Sequence, residues 1–107
     1  MQTLKRKKDQ SCKLLEQTLR EHYQSSHPSA QIDVYRYNSA SVRIRIVDPI
    51  FKGMRISLRD HEVWPILTRR ISKEVRQDIT TLLLLAPSEL EDSIMNYEFD
   101  NPRPSDL

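Results

Sequence analysis

Val47-Asp48-Pro49-Ile50-Phe51-Lys52-Gly53-Met54 joins two segments of opposite character. Before it, Ser41-Val42-Arg43-Ile44-Arg45-Ile46-Val47 alternates apolar and polar residues, the period of a strand with one face covered. After it, Val63, Leu67 and Ile71 recur at helical spacing, and the chain then reaches the apolar run Leu82-Leu83-Leu84-Leu85. Gly53 is the only glycine among 107 residues, so it marks a backbone position that needs positive φ or close approach.

Working outward, Ile32 to Tyr37 reads as a strand that pairs with Ser41 to Val47 through a tight turn at Asn38-Ser39. Ile32 and Val34 face inward with Val42, Ile44 and Ile46. Asp33, Tyr35, Tyr37, Arg43 and Arg45 then share a wet face. Rings interleaved with arginines can stack single-stranded bases and hold phosphates, or can form cross-strand cation–π contacts on a solvated sheet.

Upstream, Gln10 to Gln24 carries Cys12, Leu15, Leu19 and Tyr23 on one helical face, with Leu14 widening it. Residues 1–9 form a basic arm, and Pro28 stops the helix. Downstream, Ser57 with Asp60 reads as the cap of the crossing helix. Pro65 deprives the His61 carbonyl of its helical partner. The helix therefore kinks there or begins near Trp64; the apolar spacing favours a continuous, kinked helix. Ser72 caps a further short turn. Four leucines in a row, Leu82 to Leu85, could be buried helix, but Thr80-Thr81 before them and Pro87 after them favour a strand over Ile79 to Leu85; it does not alternate, so it needs both faces covered or a central place. Ser88 with Glu91 opens a last helix carrying Leu90, Ile94 and Met95, and residues 100–107 read as a disordered tail.

The reading is therefore one α+β domain over residues 1–99. Its order is α-β-β-α-β-α, and its three-stranded mixed sheet has helices on one face. The 17 Lys and Arg against 15 Asp and Glu leave a net charge of +2, too balanced to indicate nucleic acid by itself. The single cysteine, Cys12, allows no internal disulfide and sits on the apolar stripe as a small core residue. No window has the apolar length of a membrane span, and the basic start lacks the apolar stretch of a secretory signal. A soluble cytoplasmic protein is expected. There is no P-loop, dinucleotide fingerprint, HExxH or nucleophile elbow, so the chain reads as non-enzymatic.

These residues resemble the BolA family. Phe51-Lys52-Gly53 matches the family's Phe-x-Gly loop, and Arg59 matches the arginine of its Arg-His pair. Val63, Leu67 and Ile71 match the following helix, with Trp64 where an aromatic is common. Leu82 to Leu85 and Pro87-Ser88-Glu89 resemble the last strand and the opening of the last helix. The family's histidine falls at Asp60, with His61 one position later. The resemblance implies a [2Fe–2S] cluster shared with a monothiol glutaredoxin partner, and here His61 is the metal-ligand candidate. The family's second ligand has no counterpart in Tyr37-Asn38-Ser39-Ala40.

The fold is also similar to a type II KH domain, but a Gly-x-x-Gly loop is impossible with one glycine. Lys52, Arg55 and Arg59 remain as phosphate-holding candidates. Three functions follow as expectations. One is a protein-interaction module docking near Lys52, Arg55, Arg59, Asp60 and His61. The others are a KH-like module for single-stranded nucleic acid, using Tyr35, Tyr37, Arg43 and Arg45 or the loop cations, and a homo-oligomeric structural protein.

Overall fold

The computed structural model describes residues 8–105; most of the expected basic arm, residues 1–7, lies outside them. The elements run α1 (Gln10–Leu19), β1 (Gln31–Asn38), β2 (Ser41–Val47), α2 (Ile56–Arg70), α3 (Lys73–Arg76), β3 (Ile79–Leu85) and α4 (Ile94–Asp100). The fold is α+β, in the expected order, with one three-stranded mixed sheet ordered β1-β2-β3. β1 pairs antiparallel with β2, and β3 pairs parallel with β2 after the α2 crossover. A bulge at Thr80 shifts the second register, because Val42 faces Ile79 while Arg43 faces Thr81.

α1 begins where the Asp9 carboxylate accepts from the Cys12 N–H at 3.0 Å. The helix lays Cys12, Leu15 and Leu19 onto the sheet, all fully buried, and a π-helical turn, Arg20–Gln24, carries Tyr23 into the same core. Leu14, expected to widen that stripe, is instead 45% exposed. From the sheet come Ile32, Val34, Val42, Ile44, Ile46 and Leu84, and from α2 Val63 and Leu67. Full burial of each such side chain contributes about 1.5–3 kcal/mol. α1 and α2 therefore share one face of the sheet.

α4 does not join them. Phe99 is 1% exposed and meets Tyr35 edge-on at 4.8 Å, with Leu83 completing a second core on the opposite face. The expectation of a wet face carrying Tyr35, Tyr37, Arg43 and Arg45 is corrected here. Tyr35 is 2% exposed and donates to the Phe99 carbonyl at 2.8 Å. Arg45 is held by Asp33, Asn96 and Asp100. Arg43 lies 3.7 Å over the Tyr37 ring, and its buried Nε has no hydrogen-bond partner. The second apolar face explains why β3 can be leucine-rich at a sheet edge: Leu84 serves one core and Leu83 the other.

The same packing moves the end of the domain. Asp100 belongs to α4, and its carboxylate pairs with Arg45, so the tail does not begin there. Beyond it, Tyr37 donates to the Arg103 carbonyl and Asn38 to the Ser105 hydroxyl. Residues 106–107 lie outside the described residues.

The turn at Gly53 has a definite reason. Lys52 has φ −60 and ψ 124, Gly53 has φ +77, and the Met54 N–H returns to the Phe51 carbonyl at 3.0 Å. That is a type II turn, whose third residue must take positive φ. α2 then starts from Arg55, which gives no side-chain cap. Ser57 lies inside the helix, contrary to the expected cap. The helix runs unbroken past Pro65.

Candidate functional site

The site is built by the way α2 crosses back over the sheet. Val63 and Leu67 point into the core, and Asp60, His61, Trp64, Pro65, Thr68 and Arg69 cover the flank of the helix beside that stripe, over half its circumference from Asp60 to Arg69. That face and residues 79–82 of β3 line a groove of about 590 Å³, within the usual size of a binding cleft. Trp64, 40% exposed, contributes apolar lining from α2, and Ile79 and Leu82 contribute it from β3. Asp60 and His61 stand toward one end, and Thr68 and Arg69 toward the other.

Arg59 precedes Asp60 on α2 but does not line the groove. It is 5% exposed, and its guanidinium makes two bonds to the Glu89 carboxylate, at 2.7 and 2.8 Å. It also donates to the Met54 carbonyl at 3.0 Å and the Leu84 carbonyl at 2.9 Å. The two-point hydrogen bonding from Arg59 holds the Glu89 carboxyl at about 2, well below its ordinary range. One Glu89 oxygen also accepts from the Ala86 N–H at 2.9 Å.

These bonds define which part of β3 is covered. β3 is an edge strand, so alternate peptide groups face away from the sheet. The Leu85 carbonyl faces inward, accepting from the Asp48 N–H at 2.9 Å. The Leu84 carbonyl faces outward and is taken by Arg59. By the alternation of a strand, the peptide groups of Leu82 also face outward, beside the groove. Arg59 and Glu89 thus seal the C-terminal half of the edge and leave the half beside Trp64 open.

The other expected site residues are distributed as follows. Asp60 and His61 lie together on the groove wall. Lys52 and Arg55 are exposed at the Gly53 turn. Tyr35, Tyr37, Arg43 and Arg45 lie under or beside α4, engaged as described above. The groove residues Trp64, Pro65, Thr68 and Arg69 were not read as a site from the sequence. Their only sequence signal was a second helical stripe, Asp60, Trp64 and Thr68, beside Val63 and Leu67.

His61 is the sole imidazole on that wall, and its neighbour Asp60 is a carboxylate. Among the described residues, no group of three or more His, Cys, Asp or Glu is placed to hold a metal ion. The β1–β2 turn, at the Ile79 end of the sheet, offers no thiol or imidazole. One exposed imidazole beside a carboxylate does not fit the soft donor set of an iron–sulfur cluster. Cys12 is fully buried, and desolvation pushes its thiol up to about 11. Among the described residues, no helix is long and apolar enough to cross a membrane.

Comparison of the chain with family models, with curated proteins and with solved structures found no match.

Proposed function

We propose that this chain is a small, non-enzymatic, cytoplasmic interaction module that receives part of a partner protein in the groove between α2 and β3. The observation that carries this reading is the open stretch of strand edge beside Trp64. An edge strand normally has its unpaired backbone groups covered or guarded. Here Arg59 and Glu89 cover one half, and the other half forms one side of an apolar cleft. Added-strand recognition uses such an arrangement, with main-chain bonds giving affinity and side-chain pockets giving selectivity. The inert, buried Cys12 agrees with a reducing compartment and with the absence of thiol chemistry.

A BolA-like role beside a monothiol glutaredoxin would use the same region through Asp60 and His61. It would rest on protein–protein contact, since the donor set does not support a shared cluster. The nucleic-acid reading retains Lys52 and Arg55, but loses its stacking surface to α4.

The experiment is site-specific photo-crosslinking in the native cell. A photoreactive residue at position 61, on the groove wall, is compared with one at Glu98, exposed on α4. A discrete adduct at position 61 and none at 98 is the expected result. Equal labelling at both positions, or none at 61, overturns the reading.

A further inference from the structure

Two charges stand at opposite ends of the groove. Asp60 and Arg69 both line it, and neither forms an ion pair among the described residues. They are nine positions apart on α2, about 13–14 Å along the helix axis and half-way round it, and both side chains still reach the groove. An extended chain covers that span with about four residues.

The direction of β3 relative to α2 is also settled. Arg59, near the start of α2, meets Leu84, near the end of β3. The two elements therefore run in opposite senses, so Asp60 lies toward the Leu82 end of the groove and Arg69 toward the Ile79 end. A strand added antiparallel to β3 starts beside Asp60 and finishes beside Arg69, and antiparallel pairing is the more stable per residue.

Resting on the function proposed above, we infer that the groove takes an extended acidic-ended peptide pairing antiparallel with β3. It carries a cationic residue at its N-terminal end for Asp60, an apolar residue in the middle for Trp64 and Leu82, and a carboxylate at its C-terminal end for Arg69. That carboxylate is an Asp or Glu side chain or the chain terminus. A second copy of this chain suits the site less well. Its own Arg59–Glu89 pair would have to enter beside Ile79, whereas a single strand needs only the uncovered edge.

The test is selection from a display library of random linear heptapeptides against the full chain. The Asp60→Lys/Arg69→Glu double variant is selected in parallel. Both side chains are exposed, so the double variant keeps the fold, with a small fall in melting temperature because Arg69→Glu reverses a favourable charge in the last turn of α2. Peptides with a basic residue toward the N-terminal side and an acidic one toward the C-terminal side are expected. The double variant should bind them about three- to tenfold more weakly and should select the reversed charge order. Selected peptides should also be lost on Trp64→Ala and on Thr68→Trp, which fills the groove from its wall.

Peptides that depend on Trp64 but show no charge order overturn this inference and leave the groove reading standing. Peptides indifferent to both wall variants, or no selected peptides, overturn both. A concentration-dependent dimer abolished by Thr68→Trp assigns the groove to a second copy and also overturns the inference.

Discussion

Arg59 and Glu89 meet through two hydrogen bonds of 2.7 and 2.8 Å across the end of β3, with Arg59 almost wholly buried. The pair joins the start of α2 to the turn after β3, and it decides which backbone groups of the edge strand remain exposed. Removing one member leaves the other without its charge partner. Such losses cost about 3–5 kcal/mol when the pair is fully buried. Glu89→Gln should fall toward the lower end of that range, because Glu89 is 36% exposed and screened by solvent. Urea unfolding measures it.

The same pair makes a prediction in acid. Glu89 titrates at about 2 in the fold, below its usual 4.5. A carboxylate with a lowered folded value stabilises the fold above its unfolded value, and that contribution is lost as pH falls toward the folded one. The parent should therefore lose stability between about pH 4.5 and pH 2 by more than Glu89→Gln does. Parallel acid titrations of the two proteins followed by circular dichroism would read the difference.

Gly53 is constrained by conformation alone. An added Cβ meets nothing within 4 Å, yet φ is +77. Gly53→Ala should cost about 1–2 kcal/mol, the penalty of a left-handed residue, and Gly53→Asn should cost less, because asparagine tolerates that region. Equal losses for both would point to a space requirement and contradict the turn assignment.

Tyr23 donates to the buried Asp48 carboxylate at 2.7 Å. Desolvation, with help from Asp48, raises the phenol well above its ordinary value. A raised folded value means the unfolded chain ionises first, so stability declines as pH rises beyond about 10. Tyr23→Phe removes that decline. It also leaves Asp48 one donor short, at about 1–3 kcal/mol. Unfolding at pH 7 and pH 10.5 separates the two effects.

Phe99→Ala should destabilise by about 3–5 kcal/mol, the range for deleting a buried aromatic. It should also open the Tyr35 face to solvent, seen as quenching of tyrosine fluorescence by acrylamide. A loss below 1 kcal/mol would mean that α4 does not anchor the second core.

How much of this was legible in the sequence depended on the range of the interaction. The hairpin, the crossing helix and the α1 stripe follow from local periodicity, and the Gly53 turn from one residue's freedom. The role of Tyr35 was not legible, because alternation tells only that it opposes Val34, not what lies above it. Phe99, 64 positions later, supplies that cover, and a strand with two apolar sides was the sole hint. Arg59 was read as a phosphate ligand because a cation beside a turn looks exposed in one dimension; its partner Glu89 is 30 positions away. The groove escaped notice because it exists only where α2 passes the uncovered edge of β3.

Amide hydrogen exchange along β3 tests the central claim most directly. In the peptide-free protein, the outward Leu82 amide should exchange quickly while those of Leu83 and Leu85 stay protected by β2; with a selected peptide bound, Leu82 should become protected too. Equal protection of Leu82, Leu83 and Leu85 before any peptide is added would contradict an open strand edge beside Trp64.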